Sequence, residues 1–399
     1  MSIIALIPAL AEILLFIAAA ISVAYVIVFA VASRLAPRQV SCDTSAQPRF
    51  LIIIPAYAED GVIVPTVEAA LKQDYEAVSV CVVSDHMQAA TNARLAEMPI
   101  ELLTVHYADS TKGKAMQAAM AAAYDPNFHT HVLIIDADNI IQPDLLKRLA
   151  PLCTPGRTAI QLHRCAKNTD TPIAMLDAVS EEINNSIFRL GHNRLGLASA
   201  LIGSGICFEA RWLADAVRHL QSAGEDKELE RQLLLDGHHT LYAADLPVFD
   251  EKVSNRDNFG RQRRRWLAAQ FWALGFMLKG LPKAFAPHSP ALRLDYLDKT
   301  LQQALIPRSL LMALTGSMAI LTIVLALCGV APWAVAIRWI VLDTSLDLAI
   351  ILAIPNHMRN ARLLDAAAAL PPLVWQMFLS LFHLRGASHK FLHTEHGQP

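Results

Sequence analysis

The chain has 399 residues, of which 54% are hydrophobic and only 18% are charged, so it is too apolar for an ordinary soluble protein and part of it is expected to lie in a membrane. Its formal net charge of −2 gives no basis for a general nucleic-acid-binding surface. Its six cysteines form no C-x-x-C pair, which argues against a zinc site or a disulfide framework and fits a reducing compartment.

The first predicted element is an apolar helix near the amino terminus. Residues 3–31 contain a single acid, Glu12, and are enough to cross about 30 Å of hydrocarbon at about 1.5 Å per residue. The stretch is too long for the core of a signal peptide. Arg34, Arg38 and Arg49 follow it and no basic residue precedes it. The positive-inside rule therefore predicts an outward-facing amino terminus and a cytoplasmic domain after the helix.

Short β-rich runs then alternate with helix-like stretches. The runs lie at residues 50–54, 78–83, 102–105 and 131–135, and the helical stretches at 65–72, 89–97 and 114–124. This alternation predicts an α/β domain with a mostly parallel sheet that is covered by helices on both faces. Ligands bind at the carboxyl ends of strands in such sheets, so the polar residues that follow each run are the candidates for function.

Two pairs of charged residues follow these runs. Asp136 and Asp138 come directly after the fourth run, and two carboxylates so spaced can ligate a hard divalent cation that shares its shell with a diphosphate. In isolation such a pair is more often a solvated turn. Lys112 and Lys114 open the helix after the third run, where lysine is unfavourable to the helix dipole unless an anion is present. A solvated first helical turn is the alternative.

Apolar stretches return after the polar middle of the chain. Residues 309–327 and 330–354 are predicted to form a membrane hairpin, and residues 366–382, broken by Pro371 and Pro372, are predicted to be a kinked span or an interfacial segment. The side of the membrane on which the carboxyl terminus lies stays open.

Two features of this region allow two interpretations each. Residues 267–281 are apolar around most of a helical circumference and follow a basic segment, which predicts an interfacial helix, with a buried core helix as the alternative. Arg338, Asp343 and Asp347 lie within the second span of the hairpin. They either line a polar path or pair with one another to fix helix packing.

Several short motifs occur in a fixed order along the chain. They are Pro-Ala-Tyr-Ala-Glu at 55–59, Asp85, Asp-Ala-Asp at 136–138, Gly-Glu-Asp at 224–226 and Gln-Arg-Arg-Arg-Trp at 262–266. In this order they resemble the P-x-[YF]-N-E, nucleotide-binding aspartate, D-x-D, [TG]-E-D and Q-x-x-R-W motifs of the membrane-bound inverting glycosyltransferases of family 2, which include cellulose, chitin and hyaluronan synthases. The resemblance covers residues 48–266 closely and the membrane segments in arrangement only.

The resemblance implies a GT-A, Rossmann-like catalytic domain flanked by transmembrane helices. It implies a nucleotide-sugar site, an acceptor site and a metal site for Mg²⁺ or Mn²⁺. The donor residues would be Tyr57, Glu59, Asp85, Lys114, Asp136, Gln262 and Arg265; the acceptor residues Gly203, Ser204, Gly205 and Trp266; and the metal ligands Asp136 and Asp138. The rival interpretation of residues 261–266 is a basic and aromatic anchor at the lipid headgroups, and the two interpretations are compatible. Taken alone, residues 202–206 could equally be a turn between strands.

Asp226 would be the general base in this assignment. Inversion by a single displacement needs one carboxylate, opposite the leaving group, that takes the proton from the attacking acceptor hydroxyl. Taken alone, Glu225 and Asp226 would be the charged start of an ordinary helix, with oppositely charged residues one turn later.

The sequence also departs from the family pattern. Ala58 stands where the first motif usually has asparagine, and His86 follows Asp85 where relatives often continue with glycine. The chain has fewer membrane segments after the catalytic domain than the large polymer-secreting synthases. A shorter product or a glycolipid acceptor is therefore a plausible alternative to a long polymer.

The predicted function is inverting transfer of a sugar from a nucleotide-sugar, UDP-linked by family default, to a growing polysaccharide at the cytoplasmic face of the inner membrane. Transfer of one sugar to a lipid-linked acceptor is the alternative, and a transport or scaffold protein whose α/β domain only binds nucleotide is a third. Whether partner proteins complete an export path stays open. The predicted regions are a transmembrane helix at 1–33, a cytoplasmic catalytic domain at 48–266, interfacial helices at 267–303, transmembrane helices at 304–385 and a tail at 386–399.

Overall fold

A mixed β-sheet lies at the centre of the catalytic region. The computed structural model describes the backbone of residues 3–222, 224–252 and 256–367, and the side chains of residues 9–222, 224–252 and 266–366. Within this part the strands are β1 Phe50–Tyr57, β2 Val78–Asp85, β3 Glu101–Val105, β4 His131–Ile134, β5 Ile140–Ile141, β6 Ala159–Ala166, β7 Ile206–Glu209 and β8 Thr240–Asp250. They are ordered β3-β2-β1-β4-β7-β6-β8-β5.

The first half of the sheet is parallel and the second half is mixed. Strands β1 to β4 run in one direction, as predicted. Strand β7 is antiparallel to both β4 and β6, and β5 is antiparallel to β8. Strands β6 and β8 pair in parallel and run in the direction of β1 to β4, so among the described strands the prediction of a mostly parallel sheet fails at β5 and β7 alone. Strand β7 is reversed because a long helical excursion after β6 returns the chain beside β4 in the opposite direction.

The helices cover both faces of the sheet and extend beyond it. They are α1 Ile3–Ala32, α2 Ile63–Leu71, α3 Ala89–Ala96, α4 Lys112–Ala123, α5 Leu145–Leu149, α6 Pro172–Asn184, a π-helix Asn185–Gly191, α7 His192–Leu195, α8 Ala210–Ala216, α9 Glu225–Leu235, α10 Arg256–Ala284, α11 Arg293–Ala304, α12 Arg308–Leu327, α13 Trp333–Ala353 and α14 Ala361–Ala367. Helices α2 to α4 confirm the three helical stretches predicted between the first strands.

The central strand β1 shows why this sheet needs two layers of helices. Phe50, Ile52 and Ile54 point into a core shared with α2, α3 and α5. Leu51 and Ile53 point the other way, into a core shared with α4, α8 and α9. All five side chains are fully buried. A strand buried on both faces has a continuous apolar sequence rather than an alternating one, which is the pattern of this run.

Two described helices are long and apolar enough to cross a membrane, judged by length and composition alone. They span Ala9–Ala32 and Arg308–Leu327. This is a weak indication of membrane association. Helix α13 is present where the second hairpin span was predicted, but it does not meet the same criterion. The prediction at residues 366–382 falls almost wholly on residues outside the described part of the chain, as does the tail at 386–399.

The polar residues of the apolar helices pair with one another. Arg338 forms an ion pair with Glu12, and the Trp339 indole N–H donates to the same carboxylate at 2.6 Å. The Thr315 hydroxyl donates to Asp343 Oδ1 at 2.7 Å. These contacts join α1 to α13 and α12 to α13. They favour the helix-packing interpretation for Arg338 and Asp343 over a polar path.

Helix α10 has one buried and one exposed apolar face. Met277 and Ala284 are buried against Leu234 and Tyr296, in a small core shared with α9 and α11. Phe271, on the opposite face, is 56% exposed. The described part of this helix therefore has features of both interpretations, a core helix and an interfacial helix.

A close helix contact joins α1 to the π-helix. A Cβ built on Gly191 would lie 2.3 Å from the Phe29 carbonyl oxygen, which is closer than real side chains approach. Next to it, the Tyr25 hydroxyl lies 2.8 Å from His192 Nε2 and donates to Asp298 Oδ1 at 2.9 Å. A buried polar network thus fixes α1 against the π-helix and α11.

Candidate functional site

The loop after β4 holds the two aspartates that were predicted as metal ligands. The backbone N–H of Asp136 donates to Asn139 Oδ1 at 3.0 Å and to Ser204 Oγ at 3.1 Å. Asn139 is fully buried, and its Oδ1 also accepts a hydrogen bond from the Ser204 hydroxyl. Asn139 therefore ties the aspartate loop to the glycine-bearing segment before β7. Sequence reasoning did not identify it.

The two carboxylates differ in their surroundings. Asp138 is 6% exposed, and its oxygens accept hydrogen bonds from Asn139 Nδ2 and from the backbone N–H of Glu251, each at 3.0 Å. The Asp136 side chain is 36% exposed. One aspartate is therefore oriented by the protein, and the other is open to a ligand.

Lys112 places a positively charged side chain at the aspartate loop. Its ammonium contacts both Asp136 Oδ1 and the carbonyl oxygen of Gly203. Lys114, the residue named from the sequence, donates instead to the Asp109 carbonyl oxygen at 2.5 Å, and its donor-binding role stays a prediction. Thr111 caps the helix by accepting from the Lys114 backbone N–H at 3.2 Å, so the first turn of α4 is fixed at the site.

The start of α9 brings two acids to the other side of Lys112. Burial raises the pKa of the Glu225 carboxyl to about 8. The positive charge of Lys112 opposes this rise, and the negative charge of Asp226 adds to it. Asp226 is 23% exposed, with Oδ1 accepting from the backbone N–H of Lys227 at 2.9 Å. Of the two acids, Asp226 is the more exposed.

The glycine-bearing segment lies between Glu225 and the aspartate loop. A Cβ on Gly203 would lie 3.6 Å from Glu225 Oε1 and 3.9 Å from Lys112 Nζ. Gly205 has φ +64, a conformation that favours glycine. Ser204 is fully buried, and its hydroxyl is used within the aspartate loop. The segment therefore forms part of the site wall, and acceptor binding by its three residues stays a prediction.

The carboxyl ends of β1 to β3 carry a cluster of rings. The Tyr57 and His86 ring centroids are 5.4 Å apart, and those of His86 and His106 are 5.2 Å apart. Asp85 is buried beneath them, with Oδ1 2.6 Å from His86 Nδ1 and 3.3 Å from the backbone N–H of Tyr107. This arrangement offers flat faces and a fixed carboxylate at the end of the site where a nucleoside was predicted.

The two departures from the family pattern have a common backbone feature. Ala58 has φ 51 and His86 has φ 57, both in the left-handed region. Asparagine and glycine, the usual residues at these points, tolerate this region better than alanine does. Both strands therefore end in a turn with a residue in the left-handed region, which is a locally strained conformation for alanine.

Replacing Ala58 with asparagine is expected to raise the free energy of unfolding by about 0.5–1 kcal/mol, because asparagine adopts the left-handed conformation at lower cost. Chemical denaturation followed by tryptophan fluorescence measures the change. Ala122→Asn, at an exposed position of α4, serves as the control and should instead lower stability by roughly 0.5 kcal/mol through helix propensity. A loss of stability in Ala58→Asn would contradict the strained turn.

The last motif lies on α10. The side chains of Gln262 and Arg265 are outside the described residues, and Trp266 is half-buried. Further along the helix, Trp272 packs beside Gly224, where a Cβ would lie 3.2 Å from its ring. Helix α10 therefore passes the start of α9, next to Asp226. The predicted roles of Gln262, Arg265 and Trp266 stay predictions, as do those of Tyr57 and Glu59.

Comparisons with known proteins identify the family and the fold of this chain. Residues 48–269, more than half of the chain, match the family model "Glycosyltransferase like family 2". The structure of the mannosyltransferase PcManGT from Pyrobaculum calidifontis, in complex with GDP-Man and Mn²⁺, is similar over 86% of this chain and 96% of that one, at 17% identity and a TM-score of 0.56. A search of curated proteins gave no match.

Two further structures match more distantly. They are TarS of S. aureus, residues 1–349, at 16% identity over 85% of this chain and 90% of that one with a TM-score of 0.42, and glucosyl-3-phosphoglycerate synthase of Mycobacterium tuberculosis, at 15% identity over 60% and 84% with a TM-score of 0.40. The sheet and the mannosyltransferase likeness show an α/β, GT-A-like fold. The chain belongs to the glycosyltransferase-like family 2 and is a transferase that uses a nucleotide-sugar donor.

Proposed function

We propose that this enzyme transfers a sugar with inversion, holding the donor diphosphate through a divalent metal at Asp136 and Asp138 and using Asp226 as the general base. The observation that carries the proposal is the position of Lys112, whose ammonium contacts Asp136 and Gly203 at once. This lysine joins the predicted metal loop to the glycine-bearing segment, with Glu225 and Asp226 beside it.

The donor set fits Mg²⁺ or Mn²⁺. Both cations prefer oxygen ligands, and Asp136 and Asp138 supply carboxylates of which one is held in place and one is accessible. When bound, the ion would neutralise charge that grows on the departing nucleoside diphosphate. The related mannosyltransferase was solved with GDP-Man and Mn²⁺.

Residues of the chain would carry out proton transfer, stabilise the leaving group and bind the nucleobase. Asp226 would take the proton of the acceptor hydroxyl as that oxygen attacks the anomeric carbon. Lys112 would add positive charge beside the leaving diphosphate. The rings of Tyr57, His86 and His106 would pack on the nucleobase, above the Asp85 carboxylate.

For the acceptor, we propose a growing polysaccharide at the cytoplasmic face of the inner membrane. Support comes from the two described helices that could span a bilayer, one on each side of the catalytic region in sequence. Because the described chain has only two such helices, a lipid-linked acceptor that receives one sugar is the second candidate, and export of a polymer would call for partner proteins.

A donor screen with full-length protein in nanodiscs tests the proposal. A panel of nucleotide-sugars is offered with Mg²⁺ or Mn²⁺, and released nucleoside diphosphate and product mass are measured. One donor should be turned over in a metal-dependent way, and Asp138→Ala should abolish turnover. A ladder of product masses identifies polymerisation, and a single added sugar identifies the lipid-linked alternative. A donor consumed equally well with a chelator present would contradict the metal assignment.

Lys112→Met is expected to lower the rate of donor turnover by about 10²-fold, because the leaving diphosphate loses a nearby cation. The rate of nucleoside diphosphate release measures the effect. Lys147→Met removes an exposed lysine, paired with Asp74 on the surface, and should leave the rate unchanged. An unaltered rate in Lys112→Met would remove this lysine from the proposed mechanism.

A further inference from the structure

Five charged side chains form a buried cluster next to the proposed metal site. The members of this charge cluster come from β6, α6, the π-helix and the end of β8, and they are Arg164, Glu181, Arg189, Asp250 and Lys252. Their side chains are between 3% and 13% exposed. The resemblance to family motifs assigned no role to any of them.

Glu181 is the centre of the cluster. Its carboxylate lies 2.9 Å from Arg164 Nη2, 3.3 Å from Arg189 Nη1 and 3.9 Å from Lys252 Nζ. Asp250 completes the arrangement, 3.3 Å from Arg164 Nε and 2.8 Å from Lys252 Nζ. Burial opposes ionisation of Glu181, but the three cations outweigh burial and lower the pKa of its carboxyl.

Such a cluster is a poor means of stabilising a fold. Removing charged groups from water carries a large solvation cost, and well-packed apolar side chains of the same volume often stabilise a protein as well or better. Fixed orientation of a neighbouring group is one function that an apolar replacement does not supply. The neighbour here is the end of β8.

The cluster holds the residues on both sides of Glu251. Asp250 and Lys252 are members of it, and the Asp250 carbonyl oxygen also accepts from the backbone N–H of Lys167 at 2.7 Å. Glu251 itself uses its backbone N–H to bond Asp138 Oδ2 at 3.0 Å. One of the two described donors to the Asp138 carboxylate, the Glu251 backbone N–H, is therefore fixed by the charge cluster from both sides.

The helix that supplies Glu181 is fixed in turn. Arg308, at the start of α12, donates to Asn184 Oδ1 at 2.9 Å and to Ser180 Oγ at 2.8 Å. Ser186, in the π-helix, donates to the Ala353 carbonyl oxygen at the end of α13 at 2.6 Å. Glu181 thus lies on a segment that is bonded to two of the apolar helices and to the sheet.

We propose that Glu181 is a positioning residue for the divalent metal: through Lys252, Asp250 and the backbone N–H of Glu251, it holds the Asp138 carboxylate in its metal-binding orientation. The inference rests on the proposed function, because it takes Asp138 as a metal ligand. Replacing groups that orient metal ligands typically lowers metal affinity by about 10- to 100-fold.

The test measures Mn²⁺ binding alone, by the electron paramagnetic resonance signal of the free ion, with the full chain in nanodiscs. Glu181→Gln should raise the Kd for Mn²⁺ by about 10- to 100-fold. Asp298→Asn is the matched control, because it also removes a buried carboxylate with cationic partners, but in the network of Tyr25 and His192. It should lower the melting temperature and leave the Kd for Mn²⁺ unchanged.

A second variant tests the inference if Glu181→Gln does not fold. The pair Asp250→Asn with Lys252→Met removes one charge of each sign, and it should also raise the Kd at least about 10-fold. A wild-type Kd in folded Glu181→Gln, or in the double variant, overturns the inference while the proposed function stands. Wild-type protein that binds no Mn²⁺, or binds it equally well after Asp138→Asn, overturns the metal assignment and the inference with it.

Discussion

Replacing Asp226 with asparagine is expected to lower kcat for sugar transfer by about 10²- to 10⁴-fold, with little change in donor affinity. Asparagine has nearly the shape of aspartate but cannot take a proton from the acceptor hydroxyl. The residues proposed to hold the donor diphosphate, Asp136, Asp138 and Lys112, are untouched by this change. Turnover and donor binding measured on the same preparation therefore separate catalysis from recognition.

The control for this variant is Asp215→Asn. Asp215 is 77% exposed on α8, and its ion pair within the described part of the chain is a long surface contact with Arg218, at 4.0 Å. Its replacement should leave both kcat and donor affinity unchanged. If Asp226→Asn kept wild-type turnover, another group would have to act as the base, whereas loss of donor binding would assign Asp226 to the donor site instead.

Gly191→Ala is expected to lower the free energy of unfolding by about 3 kcal/mol, at the upper end of the usual range for overpacking. The added Cβ would lie 2.3 Å from the Phe29 carbonyl oxygen and 3.1 Å from that of Ser186. Both are backbone atoms of helical segments, so neither can move aside as a flexible side chain would. Helix α1 would have to separate from the π-helix, and the bond between Tyr25 and His192 would be lost.

Denaturation in detergent, followed by tryptophan fluorescence, measures this effect. Gly275→Ala is the matched control, because Gly275 also lies in a helix and a Cβ there has no neighbour within 4 Å among the described residues. That variant should gain up to about 1 kcal/mol from helix propensity. Equal stabilities for Gly191→Ala and the wild type would show that α1 does not make the contact described.

The first half of the fold was predictable because its signals are local. A run such as residues 50–54 is apolar without alternation, which only a strand buried on both faces requires. Strand β7 has four residues and β5 has two, which is too short for a periodic pattern. Strand β8 contains Pro247, a residue that normally argues against a strand inside a sheet. The mixed half of the sheet therefore had no clear sequence signal.

The site was predictable where a motif orders its residues. The aspartate loop and the Glu225–Asp226 pair were found in this way, and the structure brings them together around Lys112. Placing Lys112 rather than Lys114 against Asp136 needed the structure, because residues two apart on a helix point in directions about 160° apart. Asn139 and the charge cluster also needed it, because their partners are distant in sequence and meet only through the order of the strands.

The π-helix of residues 185–191 limits how the length of this segment can change. A π-helix accommodates one more residue per turn than an α-helix does, so deleting a single residue would allow an ordinary α-helix to form there. The residues after the deletion would then keep about the direction that they have now. A residue deleted from α6 has no such compensation, and everything after it would turn by about 100°. Gly191 would then leave Phe29, and the His192 ring, now stacked on Phe29 with centroids 3.7 Å apart, would turn away from α1. Relatives that keep this helix junction should therefore tolerate the loss of one residue within 185–191 more readily than within α6.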